Sequence, residues 1–223
     1  MSAFAAILSK DLRLELRSGV STIAMVALAM LVLVVLVFAL NPGVARGPEA
    51  AAGALWIALV FAGMLGASRA LMAESENECI RALLISPVDR ATLYAAKLAA
   101  SAIFMLVALG AGAILTVLFF NLEFSGALVR LAPILILGVI GFAALATLLA
   151  AISGRARGGE LLLPLLVVPM FVPALIAGVR ASTAALSAAP MATARDWIGI
   201  LVAFDVLFVT AGYLLFEHVI GQE

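Results

Sequence analysis

Between residues 69 and 90 the chain reads Arg69-Ala-Leu-Met-Ala-Glu74-Ser75-Glu76-Asn-Glu78-Cys-Ile80-Arg81-Ala-Leu83-Leu84-Ile-Ser86-Pro87-Val-Asp89-Arg90, and it stays polar as far as Lys97. This is a charged island between long apolar segments. Ile80, Leu83 and Leu84 stand at i, i+3, i+4 spacing, which makes one apolar face of a short helix. Ser75 and Glu78 form a capping-box pattern at its start. Ser86, Pro87 and Asp89 form a second helix-start pattern, with Pro87 expected at the first helical position. The stretch therefore predicts a short amphipathic helix, a sharp corner and the beginning of a long helix. A stiff polar elbow of this kind suits a membrane protein that must grip a soluble partner. The bland alternative is a solvated loop, but loops need no helix-start signals.

Composition fixes the solvent. The 223 residues are 66% hydrophobic and 12% charged, with a mean hydropathy of +1.27. A soluble domain carries about 25% charged residues, so most of this chain is expected to face lipid. The formal net charge is zero, and nucleic acid is not an expected partner. One Cys and one His leave no disulfide framework and no metal cluster supplied by this chain alone. The first apolar run, about 21 residues, exceeds a signal-peptide core and is read as a retained span.

Working outward from the island, the apolar runs predict an all-α integral membrane protein with six spans in one transmembrane domain over 1–223. The spans are expected at about 20–40, 50–72, 92–120, 131–152, 160–179 and 197–217, each long enough for about 30 Å of hydrocarbon. Trp56 is expected near the outer end of the second span, and Lys97 is placed to snorkel towards headgroups. Residues 121–130 are expected as a short outer loop, with Pro133 in the first turn of span 4. Residues 180–195, rich in Ala and Ser, are expected to lie outside the fifth span.

Residues 2–18 predict an interfacial helix that cannot span. Lys10, Arg13 and Arg17 share one face, Phe4, Ile7, Leu8 and Leu12 another, and Asp11 and Glu15 interrupt the apolar side. An anchor role and a partner-binding role both fit. With the N-terminus inside, nine basic residues (Lys10, Arg13, Arg17, Arg69, Arg81, Arg90, Lys97, Arg155, Arg157) fall on inner segments and four (Arg46, Arg130, Arg180, Arg195) on outer ones. The excess places both termini and the island in the cytoplasm. Glu74, Glu76, Glu78, Arg81, Leu83, Leu84, Pro87 and Arg90, with Asp11 and Glu15, are the candidate contacts to a cytoplasmic subunit. The acidic cluster suits a basic groove on that partner.

Three further features carry weight. Pro169 and Pro173 lie four apart in span 5, where each removes a helix hydrogen bond. In lipid the freed carbonyls need internal partners, so this face is expected to meet another helix or a cavity. Asp205 falls about eight residues into span 6; it is either a buried functional group or, if the boundary shifts, an interfacial one. The pairs Gly63–Gly66 and Gly138–Gly141 have the spacing of close helix contacts. Residues 154–160 (Gly-Arg-Ala-Arg-Gly-Gly-Glu) have the glycine spacing of a phosphate loop but lack its Lys-Ser/Thr and a preceding strand. Haem attachment would need Cys-x-x-Cys-His, which is absent, and no cofactor is expected on this chain. No nucleophile–base pair is visible, so the chain is not expected to be an enzyme.

Leu83 to Pro87 followed ten positions on by Lys97, together with Arg157-Gly158-Gly159 leading into a Leu-rich span with Pro169 and Pro173, resemble the CcmB family. These are the haem exporter B permeases of cytochrome c maturation, within the type-2 ABC-transporter permeases. The likeness covers essentially the whole chain. It implies a bacterial inner-membrane subunit without catalysis of its own, with ATP hydrolysed by a CcmA-like cytoplasmic ATPase. CcmC-like and CcmD-like membrane proteins are the implied neighbours, a CcmE-like periplasmic haem chaperone an indirect one, and haem the cargo. Whether haem crosses through such a chain, or ATP drives release of the loaded chaperone, stays open. A permease for another amphiphile (lipid or drug) and a non-transporting assembly subunit are the rival readings.

Overall fold

The computed structural model describes residues 3–39, 47–76, 89–120, 122, 124–153, 159–187 and 190–220. Among them the chain is helical: α1 Ala3–Ser18, α2 Val20–Ala39, α3 Pro48–Glu76, α4 Arg90–Phe119, α5 Phe124–Ser153, α6 Gly159–Leu186, a 3-10 turn Met191–Ala194 and α7 Arg195–Ile220. Six of these, α2 to α7, are long and apolar enough to cross a membrane. α5 is the centre of the bundle, packed against α3, α4, α6 and α7, whereas among the described elements α2 touches only α1, α3 and α4. The core between them is built largely from Ala, Leu and Phe. Small residues let the backbones approach, which is how helices associate where lipid removes the hydrophobic drive.

The corner between α1 and α2 has an identifiable cause. Gly19 takes a left-handed φ of 63° and donates its N–H to the Glu15 carbonyl at 2.6 Å, which ends α1. The Glu15 carboxylate then accepts the Thr22 N–H at 2.6 Å and the Thr22 hydroxyl at 2.9 Å, satisfying an orphan donor in the first turn of α2. Two stability losses follow. Gly19→Val should cost about 1–2 kcal/mol for the left-handed backbone, and Glu15→Ala about 1 kcal/mol for the lost cap. Thermal unfolding of the purified protein in detergent, followed by circular dichroism, checks both.

Several boundaries differ from the sequence reading. α3 runs through Glu76, so Ser75 lies in its last helical turn and does not open a new helix. The segment 70–74 is made of strong helix formers and contains no breaker. Glu78, Arg81, Leu83, Leu84 and Pro87, with the expected short helix, lie outside the described residues. α4 opens at Arg90 after an Asp89 N-cap, so its first helical position belongs to Arg90 and not to Pro87. Thr92 donates to the Asp89 carboxylate at 3.3 Å across that first turn. α5 begins at Phe124 and Pro133 lies well inside it, so 124–130 are helix and not loop. α6 likewise continues through residues 180–186, a stretch with three alanines, the residue of highest helix propensity.

The proline face is a correction of substance. Pro169 and Pro173 are exposed, while α6 buries Leu163, Val167, Phe171, Ala174, Ala177 and Gly178. No described element of the chain covers the prolines. A small apolar notch lies nearby between α3 and α6, lined by Ile57, Val60, Phe61, Val168, Phe171, Val172 and Leu175, and neither proline lines it. α6 runs unbroken from Gly159 to Leu186 through both prolines.

Candidate functional site

The site is the end of the bundle to which the charged island leads. α4 leaves the island at Arg90, and within its first eight residues it is fastened to three other helices. Tyr94 is 1% exposed. Its hydroxyl lies within donating distance of two carbonyls, Ala144 on α5 at 3.2 Å and Phe208 on α7 at 3.3 Å. The Phe216 ring leans on it with centroids 5.4 Å apart. Gly212 supplies the room, since a Cβ there would overlap the phenol ring. The tyrosine therefore binds α4, α5 and α7 at one point.

α1 completes the fastening from the outside. Ile7 inserts into a cluster with Leu93, Tyr94, Ala96, Leu148 and Phe216, and Phe4 packs against it. Asp11 pairs with Lys97 of α4 at 3.4 Å and with its own neighbour Lys10 at 3.2 Å. The Asp11 and Lys97 side chains are only 15% and 20% exposed, so solvent screens their attraction less than it would a surface pair. Lys97 is thus neutralised by α1, where sequence alone suggested headgroups. α1 keeps Arg13, Arg17, Leu14 and Leu16 on its exposed side, the mixture expected of a helix lying at a membrane surface.

The candidate docking residues separate accordingly. Glu74 and Glu76 ride on the last turn of α3, and Arg90 opens α4. Asp11 and Glu15 both engage partners inside the chain, Lys97 and Thr22, so they hold α1 in place. Two connections were invisible in the sequence. Tyr94 and Gly212 are 118 positions apart, and their only signal was a lone aromatic hydroxyl in an Ala-rich helix. Trp56, expected near a membrane surface, is fully buried and donates its indole N–H to Ser182 on α6 at 2.9 Å. Asp205 is 7% exposed and packs among the helices. All four paired glycines face large side chains: Gly63 meets Phe142 and Met105, Gly66 meets Met25, Gly138 meets Trp56, and Gly141 meets Asp205 and Phe204.

No group of three or more His, Cys, Asp or Glu side chains able to hold a metal occurs among the described residues. The start of α4 is tied to α5 and α7 through Tyr94 and to α1 through the Asp11–Lys97 pair.

Comparison with known proteins identifies the family. The CcmB protein model matches residues 2–220, from before α1 to the end of α7. The chain belongs to the CcmB family. Proteins named heme exporter protein B are its relatives. The one from Rhodobacter capsulatus is 30% identical over 173 residues, 78% of this chain and 79% of the relative. That from Bradyrhizobium diazoefficiens is 28% identical over 214 residues, covering 95% and 94% of the two chains. That from Pseudomonas aeruginosa is 31% identical over 184 residues, covering 78% and 79%. The CcmB match takes in α1 as well as the six apolar helices, so α1 is part of the family unit. This CcmB-family chain is a multi-pass membrane protein.

Proposed function

We propose that this chain is the permease subunit of an ABC-type complex for haem export or haem-chaperone release in c-type cytochrome assembly. The observation that carries the reading is the end-to-end family match, together with three relatives named heme exporter protein B. A CcmA-like ATPase supplies ATP hydrolysis from the cytoplasm, CcmC-like and CcmD-like proteins are membrane neighbours, and a CcmE-like chaperone receives the output. Haem is cargo of the complex. The chain sits in the bacterial inner membrane with both termini in the cytoplasm, an orientation supported by its basic residues.

In this mechanism the ATPase holds the 74–90 segment through Glu74, Glu76, Glu78, Arg81, Leu83, Leu84, Pro87 and Arg90. Its closure moves the inner ends of α3 and α4. Tyr94 passes the movement to α5 and α7, and the Asp11–Lys97 pair carries α1 along. α6, bent by Pro169 and Pro173, yields at the periphery. Nucleotide chemistry resides in the partner, and this chain converts the partner's motion into a rearrangement of spans.

Charge reversal tests the docking. Glu74→Lys, Glu76→Lys and Glu78→Lys together should lower recovery of the ATPase with the tagged permease by at least about tenfold, because like charges at an interface cost several kcal/mol. Undiminished copurification of the triple variant would remove the docking proposal.

A further inference from the structure

Among the described residues, the bundle buries one acidic side chain that the mechanism above does not use. Asp205 is the eleventh residue of α7 and 7% exposed. Neither of its carboxyl oxygens has a hydrogen-bond partner. The carboxyl fills a notch left by Gly141 on α5, where a Cβ would overlap Oδ1. Phe204 forms the wall beside it and meets Phe171 edge-to-face and Phe208 at a tilt, with centroids 5.7 and 4.4 Å away. Gly141 and Asp205 thus form a fitted pair: the glycine makes room for a polar group and for nothing larger.

No described cation is placed to balance a charge there. α4 contributes Arg90, Tyr94 and Lys97; the tyrosine hydroxyl is engaged by Ala144 and Phe208, and Lys97 is paired with Asp11. α5 contributes Arg130, eleven residues from Gly141 and so about 16 Å along the axis. α6 contributes Arg180, and α7 itself Arg195, Asp196 and Tyr213, all four exposed. A bare carboxylate taken out of water costs several kcal/mol, and in a span it is tolerated only when paired or facing water. The remaining way to seat it in the closed notch is as the neutral acid.

We propose that the Gly141–Asp205 notch is an exchangeable proton site: Asp205 holds a proton while α5 and α7 are packed, and gives it to water when the two helices part. The second half rests on the permease reading; the first does not. The proton leaves the carboxyl oxygen for entering water and must return before the notch can close, because closing over the anion is penalised. Exchange at Asp205 therefore sets the order of opening and resetting. Tyr94 anchors the same two helices at Phe208, one turn further along α7, so movement of α4 reaches this notch through a single residue.

The test uses the whole complex. Infrared spectra with carbon-13 carboxyl-labelled aspartate should show a protonated-carboxyl band at neutral pH that Asp205→Asn removes. Absence of that band in the parent overturns the proposal. Asparagine mimics the neutral acid but cannot release a proton. D205N should therefore assemble with its partners and bind the ATPase to within about twofold of the parent, while mature cytochrome c falls by about tenfold or more. Full cytochrome c output from D205N would show that no proton is exchanged. Failure of D205N to assemble would show that the charge itself was needed, and would overturn the proposal too. If cytochrome c output proves independent of this chain while the band is present, the permease reading fails and the resting proton site stands.

Discussion

Gly178→Ala should destabilise the bundle by about 3 kcal/mol, at the upper end of what overpacking a close-fitted core costs. The methyl group would overlap the six-membered ring of Trp56. That ring cannot retreat. Gly138 lies against it, with the same lack of room for a Cβ, Phe171 stacks on it at a centroid distance of 6.2 Å, and its N–H is tied to Ser182. The indole thus locks α3 into α5 and α6. Trp56→Ala should cost about 3–5 kcal/mol by leaving a cavity. Trp56→Leu would relieve the overlap in Gly178→Ala, so the double variant should lose less than the sum of the singles by about 1 kcal/mol or more. Thermal unfolding of the four proteins in one detergent measures the cycle. Additive losses would mean that ring and glycine do not share the socket.

The same socket shows what could and could not be read from the chain. The six spans were legible because each is an apolar run of about 20 residues, and in lipid a helix alone satisfies every backbone group. Their ends were less legible. Ser75 and the 180–186 run look like punctuation, yet nothing in them forbids another helical turn, and Pro133 does not mark a first turn when neighbouring helices tolerate the missing bond. Side-chain direction was the least legible. Trp56 reads as an interfacial residue because tryptophan favours headgroups, but two glycines, 82 and 122 positions further on, open a hole for it. The outward face of α6 was misjudged for the converse reason: proline spacing gives the face and says nothing of what packs on it. Asp205 was conspicuous as a charge in an apolar run. Its partner Gly141 was visible only as half of a spaced pair.

Reversing Asp11 should detach α1 and abolish the output of the complex. Asp11→Lys would set a third cation beside Lys10 and Lys97, in a place where the aspartate side chain is 15% exposed. Removing one partner from a pair shielded in this way costs more than the fraction of a kcal/mol typical of exposed pairs. Ile7 and Phe4 would hold α1 by apolar contact alone, and the short corner at Gly19 would let it swing away from α4. Cleavage at Arg13 and Arg17 by trypsin should then rise by about tenfold, since it tracks the open population, and mature cytochrome c should fall to background. The exchange variant, Asp11→Lys with Lys97→Asp, restores one contact of opposite sign and should recover both readouts in large part. Recovery separates a clasp between α1 and α4 from a direct contact of Asp11 with the ATPase. A docking residue would stay reversed in the exchange variant, and its partner would still be lost.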